Sequence, residues 1–269
     1  MIRAIGFNIG LRGDLAMSTV AARSFKEVYP DSHLTLGVGP QFRDLLPLFH
    51  DSQFDSTHVY TTYDGWPGPK DKEYLRAAKY DLVFDGMAPH PDNRWYEYRH
   101  QYSEAVHMHG LPIPQNIKPK LCRWFSLDHS FSRTVAISPF GGNGVANNKM
   151  LLVDQAQKIV HYLLCCGYSV LHIGAATEPE LIGADRLDTC YFDSIRNMLS
   201  CRALIHCDTG AGHFAGAYDH PSLGLYGYPE ISKVQNIKPL HSNFLSVDAP
   251  TIPELNMDEV FAAIDKLLS

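Results

Sequence analysis

Several things are missing from these 269 residues, and each absence removes a class of function. No apolar run approaches the ~20 residues that a membrane span requires. No basic segment, apolar stretch and small-residue cleavage site follow one another at the start, so residues 1–7 read as a buried first strand and not as a signal peptide. The six cysteines form no CxxC pair, which removes the usual zinc and thioredoxin-like motifs. Cys165 and Cys166 are neighbours within an expected helix, poor geometry for a disulfide, so reduced thiols in a cytoplasmic protein are expected. No cluster of Lys and Arg stands out, and the net charge is −6, so a nucleic-acid backbone or an anionic membrane is not an expected partner of the whole surface. The phosphate-loop pattern GxxxxGK[ST] is absent as well.

What is present is ordinary globular composition, 45% hydrophobic and 19% charged, in a chain long enough for two domains. Strand-like and helix-like segments alternate. Strands are expected at 2–9, 34–38, 57–63 and 80–85, with helices at 14–28, 42–49, 71–78 and 93–107 between and after them. Three prolines within 111–119 then predict an extended linker. The alternation restarts with strands at 134–138, 168–173, 203–207 and 222–226 and helices at 151–166, 194–201 and 212–218. A looser stretch follows, and an amphipathic helix at 257–268 closes the chain. This βαβ pattern predicts an α/β protein of two Rossmann-like, doubly wound domains facing each other across a cleft. Their expected bounds are 1–115 and 116–254, with 255–269 as a terminal helix.

In such sheets ligands bind beyond the carboxyl ends of the strands, which singles out three loops. In Gly10-Leu11-Arg12-Gly13-Asp14 the acid stands where a helix cap would, and equally where a carboxylate could take a proton from an attacking hydroxyl. Gly141-Gly142-Asn143-Gly144-Val145-Ala146-Asn147-Asn148-Lys149 offers backbone N–H groups and a cation to a phosphate. Asp208-Thr209-Gly210-Ala211-Gly212-His213 places backbone N–H groups at a helix start, a ready anion site, or is simply a glycine turn with a capping acid.

Two of these loops carry a resemblance. The segment from Gly13-Asp14 through the helix to Tyr29-Pro30-Asp31 resembles the opening motif of the ADP-heptose:lipopolysaccharide heptosyltransferase family. Asp208-Thr209-Gly210-Ala211-Gly212-His213-Phe214-Ala215-Gly216-Ala217, running on to Pro221 and Leu225-Tyr226-Gly227, resembles its second motif, and the loop ending in Lys149 resembles its phosphate loop. The resemblance implies the GT-B fold, inversion at the anomeric carbon and neither metal nor cofactor. It implies Asp14 as the base, with Gly13 beside it on the donor side, Asn143 and Lys149 near the donor phosphates, and Asp208 facing the donor sugar. Thr209, Gly210 and His213 join the same loop, and Glu178 takes the place of an acid against the ribose. The implied partners are a nucleotide-diphosphate sugar and a hydroxyl-bearing glycan or glycolipid, the latter bringing peripheral membrane contact. An epimerase or hydrolase of nucleotide sugars, a phage-type DNA-base glycosyltransferase and a non-catalytic nucleotide-sugar-binding module are the alternatives.

The remaining motifs point more weakly. His206, His213 and His220 recur at sevenfold spacing but lack flanking carboxylates or thiols, so metal binding is not expected. Trp66-Pro67-Gly68-Pro69 and Trp95-Tyr96-Glu97-Tyr98 are expected to pack and not to stack a sugar. No Asp-x-Asp occurs in the sequence, and the nearest match, Asp71-Lys72-Glu73, reads as a solvated charge cluster.

Overall fold

A computed structural model describes residues 1–7, 12–49, 53–61, 69–85, 100–122, 125–141 and 149–269. Asn143, Trp66-Pro67-Gly68 and Trp95-Tyr96-Glu97-Tyr98 lie outside the described residues. The chain divides into two compact units, residues 1–124 and 125–269. The division falls nine residues beyond the expected boundary, because the extended proline segment stays bonded to the first unit. Ser24 Oγ donates to the Pro112 carbonyl at 2.5 Å, Arg23 Nη2 to Lys118 O at 2.9 Å, and Cys122 N to Leu48 O at 2.9 Å. Two polar side chains of the first helix thereby satisfy backbone carbonyls of this extended segment.

The first unit holds four parallel strands, β1 (Arg3–Phe7), β2 (His33–Val38), β3 (Ser56–Val59) and β4 (Leu82–Asp85), in the order β3-β2-β1-β4. Its helices are α1 (Arg12–Val28), α2 (Pro69–Ala78) and α3 (Gln101–His107). Leu15, Ala16, Val20, Ala21 and Phe25 bury α1, which packs on α3. Where a helix is expected over 42–49, residues Pro40–Phe49 form a 3-10 helix. Pro47 lies inside it and lacks the N–H that an α-helical turn would use. Asp71 is also not a solvated charge. It is buried, and its two oxygens accept the Thr61 backbone N–H at 3.1 and 3.0 Å, with the Thr61 hydroxyl at 2.8 Å.

The second unit holds six parallel strands: β5 (Thr134–Ser138), β6 (Ser169–His172), β7 (Ala184–Asp185), β8 (Ala203–His206), β9 (Ser222–Gly227) and β10 (Phe244–Ala249). Their order is β10-β9-β8-β5-β6-β7. The helices are α4 (Val153–Cys165), α5 (Tyr191–Ser200), α6 (Gly210–Ala217), α7 (Ile231–Ile237) and α8 (Met257–Leu268). Ala156, Ile159, Val160 and Leu163 recur at i, i+3, i+4 and i+7 on α4, and they meet Val260, Ile264 and Leu268 of α8 over the inner strands. The terminal helix is therefore part of this unit's core. α5 and α6 pack together against β8. None of the six cysteines forms a disulfide, and no helix among the described residues is long and apolar enough to cross a membrane.

Strand order locates the ligand-binding edge in each unit. From β5 the chain winds outward through β6 and β7, then returns to the other side of β5 to lay down β8, β9 and β10. The loops after β5 and β8 therefore diverge, and the opening between them is the switch point where doubly wound sheets take their ligands. In the first unit the same reversal separates β1 from β4.

Candidate active site

Lys149 follows β5 and Asp208 follows β8, so they approach from the two sides of the second switch point. Lys149 Nζ lies 3.0 Å from Asp208 Oδ2. The Asp208 side chain is 12% exposed and that of Lys149 is 40% exposed, so the acid is the recessed member of the pair. The Tyr228 hydroxyl donates to the same oxygen at 2.5 Å. Asp208 Oδ1 has no hydrogen-bond partner among the described residues. Burial by itself pushes the Asp208 carboxyl up. The Lys149 charge, the Tyr228 hydroxyl and His213 outweigh it and hold the group below the ordinary carboxylate range. Burial, then the Asp208 charge, pushes the Tyr228 phenol up, so it stays a donor.

The Asp208 loop then opens α6. Thr209 takes the N-cap position in an extended conformation (φ −128°, ψ 159°) and makes no side-chain cap, so no hydroxyl of its own covers the helix start. Thr209 Oγ1 instead lies 3.4 Å from Ser138 Oγ at the end of β5, tying the two sides of the switch point together. His213 is buried in the first turns of α6. Gly212 is required here by close approach, because a Cβ at this position would lie 2.3 Å from His206 Cε1. His206 is itself buried. Its Nδ1 donates to the Cys207 carbonyl at 2.6 Å, while Nε2 finds no partner among the described residues. Burial pushes its pKa down to about 4, against the opposing pulls of the Cys207 carbonyl and the Asp208 charge.

Glu178 stands apart from this cluster, in the turn after β6, on the far side of β5 from Asp208. Arg186 Nη2 donates to His172 Nδ1 at 2.6 Å; guanidinium nitrogens only donate, so the ring proton sits on Nε2. That Nε2–H meets Glu178 Oε2 at 3.1 Å. Arg186 also binds the carbonyls of Glu178 at 3.1 Å and Pro179 at 2.9 Å, which fixes the turn. Glu178 Oε1 has no hydrogen-bond partner among the described residues. A small pocket lined by Gly174, Thr189, Ser194 and Asn197 adjoins this turn.

In the first unit Gly13 is buried and Asp14 half-buried, beyond the carboxyl end of β1. The helix begins at Arg12, so Asp14 is the third residue of its first turn and not the cap. A carboxylate there still gains from the positive end of the helix dipole.

The structure thus brings Lys149, Asp208, Thr209, Gly210 and His213 together and holds Glu178 separately. Sequence reasoning missed Tyr228, His172 and Arg186. The described residues contain no group of three or more His, Cys, Asp or Glu side chains that would hold a metal ion.

No protein-family model matches the chain, and no curated protein matches it in sequence. Solved structures do match it in shape. Escherichia coli ADP-heptose lipopolysaccharide heptosyltransferase II superposes with a TM-score of 0.74 at 16% identity, over 100% of this chain and 98% of that one. A glycosyl transferase family 9 protein from Veillonella parvula gives 0.70 at 12% identity, over 99% and 96%. The E. coli heptosyltransferase WaaC, solved with ADP, gives 0.68 at 14% identity, over 99% and 100%. Along its full length the chain therefore has the two-unit, parallel-sheet GT-B fold of the ADP-heptose heptosyltransferases.

Proposed function

We propose that the chain is an inverting, metal-independent glycosyltransferase that moves a sugar, heptose or another, from a nucleotide-diphosphate donor to a hydroxyl of a glycan or glycolipid in the cytoplasm. One observation carries the reading. Loops from the two sides of the second switch point bring a partly exposed lysine, Lys149, and a recessed carboxylate, Asp208, to 3.0 Å beside a helix start that its N-cap residue Thr209 leaves without a side-chain cap.

The second unit then takes the donor. Lys149 and the amides opening α6 meet the pyrophosphate, whose charge grows as the bond to the anomeric carbon breaks. Fixed donors of this kind contribute about 2.7–4 kcal/mol each by analogy with oxyanion holes. Asp208 accepts a hydroxyl of the donor sugar through Oδ1, and Glu178 accepts a ribose hydroxyl through Oε1. The first unit takes the acceptor. Asp14 removes the proton of the attacking hydroxyl as the new carbon–oxygen bond forms on the face opposite the leaving diphosphate, which inverts the anomeric centre. The absence of Asp-x-Asp leaves the diphosphate charge to Lys149 and α6.

The test is the initial rate of nucleoside diphosphate release from a panel of nucleotide sugars with hydroxyl acceptors, with and without excess EDTA. Acceptor-dependent release unaffected by EDTA is expected. Release restored only by magnesium or manganese contradicts the metal-independent mechanism, full release without acceptor marks a hydrolase, and an isomerised nucleotide sugar formed without acceptor marks an epimerase.

A further inference from the structure

Asp208 Oδ2 receives two donors at once, Lys149 Nζ at 3.0 Å and the Tyr228 hydroxyl at 2.5 Å. They differ in how firmly they are placed. Lys149 is 40% exposed and ends a flexible stem, whereas Tyr228 is buried, one residue beyond β9, with Lys233 Nζ 4.8 Å from its ring centroid. On the donor-site reading Lys149 must also meet the pyrophosphate, and one ammonium cannot serve two anions at full strength. Were Lys149 the sole donor to Asp208, the recessed carboxylate would be driven toward protonation whenever the ammonium turned away.

We propose that Tyr228 is the positioning residue of the donor site. It keeps Asp208 charged and holds Oδ2 in place while Lys149 turns to phosphate, so that Oδ1 stays directed at the donor sugar. A phenol suits this task because it donates one hydrogen bond and carries no charge that a phosphate would attract away. The other titratable groups around the pair are His213 on α6, His206 and Cys207 at the end of β8, and Tyr226 on β9. None of these four is seen in a hydrogen bond to Oδ2, so the two donors there carry the distinction between the variants below.

The experiment follows the Asp208 carboxyl by carbon NMR in aspartate-labelled protein, assigned with Asp208→Asn, and needs no nucleotide. Four proteins are titrated: the unaltered chain, Lys149→Met, Tyr228→Phe and the double variant. Loss of a hydrogen bond to a charged group corresponds to about one to two pH units. Tyr228→Phe is therefore expected to raise the Asp208 midpoint by at least one unit, and the double variant by at least one unit more than Lys149→Met. A midpoint unmoved by Tyr228→Phe in either background overturns the proposal; a merely structural tyrosine would lower the melting temperature without moving it. A second readout uses the unaltered protein, so that a poorly folded variant decides nothing alone. The buried phenol bond should give a slowly exchanging hydroxyl proton resonance that Asp208→Ala, which leaves no acceptor there, abolishes, and its survival in Asp208→Ala also overturns the proposal. Because no nucleotide is present, failure of the glycosyltransferase reading would show in the release assay and leave this titration intact.

Discussion

Each unit buries a carboxylate near the edge of its sheet, and the two are satisfied in different ways. Asp71 spends both oxygens on the backbone and hydroxyl of Thr61, with His58 Nε2 3.6 Å away. Its bonds tie Thr61, just after β3, to the first turn of α2, which is a folding task. Asp208 concentrates both of its donors, Lys149 and Tyr228, on one oxygen and leaves the other without a partner among the described residues. Burial is costly for either charge. Only the second arrangement keeps acceptor capacity for something outside the protein, so the distribution of partners, and not burial, separates a structural acid from a ligand-binding one.

The sharpest way to break this comparison is at a third acid. The account groups Asp14 with Asp208 and not with Asp71, so Asp14→Asn should lower turnover ~10²–10⁴-fold while leaving donor affinity and melting temperature close to those of the parent. Asp71→Asn should do the reverse, costing about 1–3 kcal/mol of stability with turnover of the folded fraction unchanged. Denaturant melts and initial rates on the two variants settle the matter. Equal behaviour would erase the distinction.

A second test sits in the surroundings of Asp208. His206 is buried with a pKa near 4, below its unfolded value of about 6.5. Between those values the unfolded chain binds the extra proton, so stability is full above pH 6.5 and falls as pH drops toward 4, by roughly 3 kcal/mol in total. Asp208, depressed in the folded state, adds stability that is present above the ordinary carboxylate range and is lost below it. His206→Asn should flatten the slope between pH 6.5 and 4, with each protein normalised to its own stability at pH 7. An unchanged slope would mean that His206 is not the group titrating there.

The next effect is finer. Lys149→Ala should weaken both a free nucleoside diphosphate and the nucleotide sugar. Asp208→Ala should weaken the nucleotide sugar and spare the nucleoside diphosphate, because Oδ1 is assigned to the sugar. Calorimetric titration of both ligands into both variants measures the division, and equal losses throughout would contradict it.

Much of this was legible in the sequence where local pattern and contact coincide. The α4 stripe, the βαβ alternation and the strand-end positions of Asp14, Lys149 and Asp208 all follow from periodicity and from the rule that ligands bind beyond strand ends. The rest needed long-range contact. Tyr228 stands 20 residues from Asp208 and Arg186 stands 14 from His172, and nothing in either neighbourhood announces the bond. β10 escaped because only Val247 of its six residues is buried, as befits an edge strand with little alternation to read. α7 has only Ile231, Val234 and Ile237 at helical spacing, too short a run to stand out. Asp14 is not the cap because the helix starts two residues before it, at Arg12.

The central claim is that the second unit binds a nucleotide-diphosphate sugar, and the most direct measurement is a thermal-shift panel of nucleoside diphosphates and nucleotide sugars on the unaltered protein. Binding to the folded state alone stabilises it by about 2.7 kcal/mol at a hundredfold excess over Kd. The expected result is a dose-dependent rise in melting temperature for at least one nucleotide sugar, larger than for its nucleoside diphosphate, with the excess over the diphosphate lost in Asp208→Ala. No shift with any member of the panel, up to millimolar concentration, would contradict it.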